Sequence, residues 1–268
     1  MEKSKEYILR YQRQITLNGF GIEAQEKLSN GKVLVIGAGG LGCPVLQYLV
    51  AAGVGTIGIV DHDQIALSNL NRQILFGQGE VGLYKASISA EKMEVLNNLV
   101  TVTPYLQYCN QKFALEHFPN YDIIIDASDN FASRYLINDA CVLLQKSLVF
   151  GAVSQFEGQV AVLNVLKDGQ QLNYRDLFPE PPKNSEVLSC AEGGVLGVLP
   201  GIIGVMQATE AIKLIAGVGQ VLANELLTYN ALTQKIYTLQ LAKNPERAKY
   251  APNTIEAFLN LNYQLTCS

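Results

Sequence analysis

The chain has 268 residues, of which 49% are hydrophobic and 16% charged, enough to bury the core of one large α/β domain or two smaller ones. Twenty Lys and Arg against 24 Asp and Glu give a formal net charge of −4, which argues against a nucleic-acid binder. Five cysteines at irregular spacings, Cys43, Cys109, Cys141, Cys190 and Cys267, form no Cys-x-x-Cys pair and suggest neither a disulfide framework nor a tetrathiolate metal site.

Residues 1–6 lack the apolar core of a signal peptide. The longest apolar stretch, Val195 to Met206, is interrupted by Gly197, Pro200, Gly201 and Gly204, so no membrane span is expected. A soluble, cytoplasmic protein is the expectation.

In chain order, the first ~30 residues read as helix. Val33 to Ile36 is a short buried strand, and Leu41 to Ala52 a helix that Gly53 stops. Thr56 to Val60 is a second strand, ending at Asp61. Tyr84 to Asn98 has helical spacing, with Ile88, Met93, Leu96 and Leu99 on one face. Thr101 to Leu106 is extended, Tyr121 to Asp126 is a buried strand with three consecutive Ile, and Phe131 to Gln145 is helical. A strand from Leu148 to Phe150 ends at Gly151.

Beyond Gly151 the pattern changes. Gln159 to Val165 alternates like a strand, Lys167 to Gln170 is a hairpin turn, and the prolines after Phe178 mark a loop. Pro200 to Ala216 is a long helix. Glu225–Tyr229 and Lys235–Leu239 form a closing hairpin, and Ile255 to Leu261 a short helix. The alternation predicts an α/β fold with a parallel sheet and helices on both faces. Ligands bind such sheets beyond the carboxyl ends of the strands. Gly37-Ala38-Gly39-Gly40-Leu41-Gly42, Asp61 and Asp129 all fall there, so they should converge on one crevice.

The glycine loop alone says only that phosphate can rest on a helix N-terminus. Asp61, about 20 residues on, suits ribose hydroxyls, as a nicotinamide enzyme also requires. Asn69, Arg72 and Lys85 go further. Cations fixed around a triphosphate stabilise the charge that builds when AMP is transferred. Asp129 is placed to hold Mg²⁺, an ion that takes oxygen ligands and bridges phosphates. Asp126 is the alternative ligand, and a helix cap is the alternative role for Asp129. Arg13 reads as a surface arginine. Cys190 stands among small residues in Ser189-Cys190-Ala191-Glu192-Gly193-Gly194, a setting for an accessible thiol. Cys43 reads as a packing residue, and His62 as a polar residue at a strand end.

Arg10-Tyr11-x-Arg13-Gln14, the glycine loop, Asp61, Ser68-Asn69-Leu70-x-Arg72-Gln73, Gly82-x-x-Lys85 and Asp129-Asn130 occur in one order. With Gly158-Gln159, Cys190, Pro200 to Lys213 and Asn230 to Asn244, the set closely resembles the MoeB/ThiF/HesA family, relatives of the ubiquitin-activating enzymes. The likeness covers nearly the whole chain. It implies a Rossmann-like ATP-binding domain continuing into a mixed sheet. Residues 1–243 would form the adenylation domain, with an ATP-binding half at 30–150 and a carrier-binding half at 151–243, and 244–268 would be a tail.

The resemblance also implies a reaction. ATP and the C-terminal glycine carboxylate of a ubiquitin-like sulfur carrier ending in Gly-Gly, of the ThiS or MoaD type, would give an acyl-adenylate and pyrophosphate. It implies a homodimer in which Arg13 reaches the partner's ATP site. Gly37, Gly39, Gly40, Gly42, Asp61, Asn69, Arg72, Gln73, Lys85, Asp129 and Asn130 would bind the nucleotide, with Mg²⁺ on Asp129. Cys190 would be the cysteine that some members link covalently to the carrier. Adenylation of another peptide or acyl substrate, and an NAD-dependent oxidoreductase, are the alternatives.

The sequence departs from the family in one place. Members usually carry two Cys-x-x-Cys pairs that bind structural zinc. Here the matching positions are Asn173, Asp176, Arg247 and Tyr250, so no structural zinc is expected. Packing of Tyr174, Phe178 and Tyr250 is the expected substitute.

Overall fold

The computed structural model describes residues 4–182 and 194–263. The N-terminal stretch is two helices, α1 (Lys5–Ile15) and α2 (Gly21–Asn30), rather than one; Gly19 and Gly21, both at positive φ, separate them. Then follow β1 (Lys32–Ile36), α3 (Gly42–Ala52), β2 (Thr56–Val60), α4 (Lys85–Leu96), β3 (Thr101–Tyr105), α5 (Gln111–His117), β4 (Ile123–Asp126), α6 (Phe131–Leu143), β5 (Ser147–Ser154) and β6 (Glu157–Leu163). The short hairpin of β7 (Leu166–Lys167) and β8 (Gln170–Gln171) turns at Asp168 and Gly169, both at positive φ as a tight hairpin turn requires. After α7 (Tyr174–Leu177) come the long helix α8 (Leu199–Ala216), β9 (Glu225–Asn230) and β10 (Lys235–Gln240).

Eight strands form one sheet in the order β10-β9-β6-β5-β4-β1-β2-β3. The five strands from β3 to β5 are parallel, while β6, β9 and β10 are antiparallel, so the sheet is mixed. Side chains alternate faces along a strand. Val33 and Val35 join a core under α2, α3, α4 and α8; Leu34 and Ile36 join a second core under α5 and α6. Both faces of β1 are therefore dry, as its unbroken apolar run predicts.

Two boundaries differ from the sequence reading. Strand β5 does not stop at Gly151 but continues to Ser154, with Ser154 opposite Glu157 of β6. Helix α4 buries Ile88 and Met93 but leaves Leu96 exposed, and Leu99 lies beyond the helix, also exposed. Helix α8 is long and apolar enough to cross a membrane by composition, yet it packs on α3, β5 and β6 as a core helix. The chain leaves β1 toward β2 on one side and β4 toward β5 on the other, so the strand order reverses between β1 and β4.

Candidate active site

Doubly wound sheets open a crevice where the strand order reverses. Here the loops after β1 and β4 touch. Gly37 has φ +103°, and a Cβ built on it would lie 2.6 Å from the Ala127 carbonyl oxygen, so only glycine lets the two loops meet. The first turn of α3 has no side-chain cap; the Cys43 N–H donates to the Gly39 carbonyl at 2.9 Å and Pro44 carries no N–H, which leaves the glycine loop ahead of the helix to cradle an anion.

The other motifs close on this loop. A Cβ on Gly39 would lie 3.5 Å from Gln73 Nε2, and one on Gly40 3.6 Å from Arg72 Cγ. Arg72 Nη1 donates to the Ser68 carbonyl at 3.0 Å and to Asn71 Oδ1 at 3.2 Å. Asn69 Oδ1 accepts from the Ala66 N–H at 3.0 Å, shaping the turn that carries Arg72. Asp61 is buried, with Oδ2 accepting from the Ala38 N–H and Oδ1 from the Asp63 N–H, both at 2.8 Å. Burial pushes the Asp61 carboxyl up; the Ala38 N–H and the Lys85 charge pull against it.

After β4 the structure separates the two acids. Asp126 is 1% exposed, and its Oδ1 is held by the Ser128 N–H at 3.0 Å and hydroxyl at 2.6 Å. Burial pushes its carboxyl up, opposed first by the Arg134 charge. Asp129 is exposed. The cap of α6 is Asn130, whose Oδ1 accepts from the Ser133 N–H at 2.9 Å, so Asp129 is not that cap. Among the described residues, five buried side-chain polar atoms lack a hydrogen-bond partner. Two of them, on Gln73 and Gln207, border this crevice: Gln73 abuts Gly39, and Gln207 Nε2 donates to the Asp126 carbonyl at 2.7 Å; the Asp126 and Arg134 atoms lie beneath α6. Unmet polar groups around a glycine cradle fit a polar nucleotide.

Not every expected residue joins the crevice. Arg13 is exposed on α1, which packs at the far end of α3 and α4: Tyr11 OH accepts from Asn97 Nδ2 at 2.8 Å, and Gln14 Nε2 donates to the Ala52 carbonyl at 3.1 Å. Lys85 and the glycine loop open the other ends of those helices, so Arg13 stands apart from the site of its own chain. Cys190 and Cys267 lie outside the described residues. Burial pushes the Cys43 thiol up to about 12 and raises Cys109 and Cys141 as well, which disfavours the thiolate at all three.

Asp63, missed in the sequence, holds Lys85: Nζ to Oδ2 is 2.8 Å. The signal for it was the Asp-x-Asp spacing after β2. Asp61, His62 and Asp63 lie close enough together to share an ion, but the Lys85 ammonium and two backbone N–H groups already engage both carboxylates.

The chain belongs to the ThiF family. Residues 11–250 match that family. Over 247 residues the chain is 49% identical to a sulfur carrier protein adenylyltransferase of Thermus thermophilus, covering 91% of each chain. It is 46% identical to a probable adenylyltransferase/sulfurtransferase MoeZ of Mycobacterium tuberculosis and 42% identical to an adenylyltransferase and sulfurtransferase MOCS3 of Xenopus laevis. It spans only 63% and 57% of those two longer proteins. Its fold matches E. coli MccB in complex with AMPCPP and MccA, with a TM-score of 0.76 over 90% of this chain and 75% of the other, at 22% identity.

This ThiF-family chain fits no zinc at the four positions that match the usual thiolates. Asn173 and Asp176 form the capping box of α7: Asn173 Oδ1 accepts from the Arg175 N–H, and Asp176 Oδ2 from the Asn173 N–H, each at 2.9 Å. Asp176 also accepts from the Asn244 N–H at 2.9 Å and pairs with Arg247. A guanidinium fills the place of a ligand and cannot coordinate a cation. The expected Tyr174–Phe178 packing is present at 5.3 Å between centroids, but Tyr250 hydrogen-bonds Glu180 at 3.1 Å instead of joining the rings. The larger substitute is a buried pair the sequence reading missed. Arg175 Nε and Nη2 meet the two Asp139 oxygens at 2.7 Å each, and Tyr263 OH donates to Asp139 Oδ2 at 2.7 Å.

Proposed function

We propose that this ThiF-family enzyme is an ATP-dependent adenylyltransferase that activates the C-terminal glycine carboxylate of a ubiquitin-like sulfur carrier, releasing pyrophosphate. The observation that carries the reading is the junction of the glycine loop with Arg72 and Gln73 on one side and the Asp129 segment on the other, at the point where the strand order reverses. The likeness to the Thermus thermophilus adenylyltransferase over 91% of both chains supports a sulfur carrier as the substrate.

In this reading Gly37, Gly39, Gly40 and Gly42 give the phosphates a backbone cradle, Asp61 takes the ribose hydroxyls, and Asn69, Arg72, Gln73, Lys85 and Asn130 complete the nucleotide site. The carrier's carboxylate is itself the nucleophile, so no base is needed; it attacks the α-phosphorus, the bond to the bridging oxygen breaks, and pyrophosphate leaves with the electron pair. Arg72 offers a planar fork and Lys85 a point charge to the growing negative charge. Mg²⁺, when bound on Asp129, supplies further charge neutralisation. Asp129 suits that role better than Asp126 because its carboxylate reaches solvent. Arg13 acts across a homodimer, since it cannot serve its own chain's site. Cys190 enters only after adenylation, in a thiol step with the carrier. Residues 30–150 act as the ATP half and 151–243 as the carrier half of an adenylation domain that works in the cytoplasm.

The test is ATP–pyrophosphate exchange driven by a small carrier ending in Gly-Gly. Arg72→Ala and Lys85→Ala each lower the exchange rate about 10²- to 10³-fold while the folded protein persists. Cys190→Ala leaves exchange intact. Parental exchange in both cation variants overturns the phosphate assignment.

A further inference from the structure

Lys85 is the most buried cation of the proposed nucleotide site, with its side chain 7% exposed. Its backbone and its side chain are tied to the same residue. The Lys85 N–H donates to the Asp63 carbonyl at 2.9 Å, and Nζ lies 2.8 Å from Asp63 Oδ2. The segments on either side are zipped together: Gln64 and Tyr84 form an antiparallel bridge, and the Ile65 N–H donates to the Leu83 carbonyl at 2.8 Å. On the other side of the carboxylate, His62 Nε2 stands 2.9 Å from Asp63 Oδ1, and its ring stacks on Tyr108 at 3.4 Å between centroids. Asp63 itself is half-exposed. Asp61 is already committed to two backbone N–H groups, so among the described residues Asp63 is the acidic partner that grips Lys85.

A lysine side chain has much rotamer freedom to lose, and a buried ammonium needs a partner at all times. One carboxylate at hydrogen-bond distance meets both needs and occupies one of three donors. The other two are left for a phosphate, held in place before it arrives. Such preorganisation lowers the cost of stabilising charge in the transition state.

The geometry points to Asp63 as a positioning residue, which through the pair 2.8 Å from Lys85 Nζ fixes that ammonium for the reacting phosphates and is itself held by His62. This rests on the reading of Lys85 as a phosphate-binding group.

The experiment measures ATP–pyrophosphate exchange with a carrier ending in Gly-Gly for the parent, Asp63→Ala, Asp63→Asn, Asp63→Glu, Lys85→Ala and the double variant Asp63→Ala/Lys85→Ala. By analogy with outer residues that orient ligands, Asp63→Ala lowers kcat about 10- to 100-fold. The KM for ATP changes by less than about threefold, because the loss falls on the transition state. Asp63→Glu restores part of kcat, and the double variant is no slower than Lys85→Ala alone. Should Asp63→Ala not fold, Asp63→Asn, which keeps an acceptor without the charge, carries the same comparison. Equal losses from Asp63→Ala in the parent and in the Lys85→Ala background overturn the proposal. A parental rate in Asp63→Ala and Asp63→Asn with a slow Lys85→Ala overturns the positioning role alone. A parental rate in Lys85→Ala overturns the phosphate reading and the positioning role together.

Discussion

The two ends of helix α6 use similar residues in opposite ways. At its start, Asp126 Oδ2 and Arg134 Nε are buried without hydrogen-bond partners, and Gln73 and Gln207 nearby are also unsatisfied. Toward its other end, Asp139 spends both oxygens on Arg175 and one again on Tyr263, while Arg175 Nη1 donates to the Pro179 carbonyl at 2.8 Å and its guanidinium lies 4.8 Å from the Tyr135 ring centre. Burying a carboxylate near a guanidinium costs desolvation in both places. The second place recovers it in full within the chain, the first only in part, through the Ser128 N–H and hydroxyl on Asp126 Oδ1 and the Arg134 charge. The first leaves single atoms of both groups unpaired, and the second closes the fold over the segment from 244 to 263.

The largest effect breaks the closed end. Asp139→Ala leaves Arg175 charged and buried without its partner, and the urea midpoint should report a loss of about 3–5 kcal/mol. Replacing the pair together with apolar residues of similar volume should recover most of that loss. Next comes filling the open end. Saturating ATP·Mg²⁺, at about 100 times its Kd, should stabilise the fold by about 2.7 kcal/mol in a thermal-shift assay. NAD at the same concentration should give no shift, and a shift with NAD alone would restore the oxidoreductase alternative.

A smaller effect tests whether the open end is merely loose. Asn130→Ala removes the cap of α6 and should cost about 1 kcal/mol, with Asn130→Ser recovering most of it. The smallest is a difference in pH dependence. The Asp126 carboxyl is raised by burial, so its protonated form favours the fold at low pH, and that contribution is lost as pH rises through its folded value. Asp126→Asn should therefore melt higher than the parent at neutral pH, and the gap should close as pH falls into the ordinary carboxylate range. A gap that stays constant with pH would mean the carboxylate carries no burial penalty.

The sheet was legible because its strands are written as apolar runs ended by Gly or Asp, and Thr56–Val60 falls where the sequence put it. The crevice was legible for the same reason: the glycine loop, Asp61 and Asp129 each follow a strand, and topology brings strand ends together. Charge partners were not. Nothing local links Asp139 to Arg175, because only the packing of α7 against α6 brings them together. Asp63 was hidden by its neighbour Asp61, which fills the expected ribose position. Gly151 misled in the other direction. A glycine inside a strand reads as an end, but here it admits a side chain from the opposite layer.

That side chain is Gln207 of α8. A Cβ on Gly151 would sit 2.3 Å from Gln207 Cδ, while Gln207 Nε2 donates to the Asp126 carbonyl at 2.7 Å. Positions 151 and 207 are therefore one choice for evolution and for the protein engineer. A side chain can enter at 151 only if 207 shrinks, and a smaller 207 lets go of the strand end that leads to Asp129. The two should covary among related chains, and a library that randomises either position alone should yield few folded members.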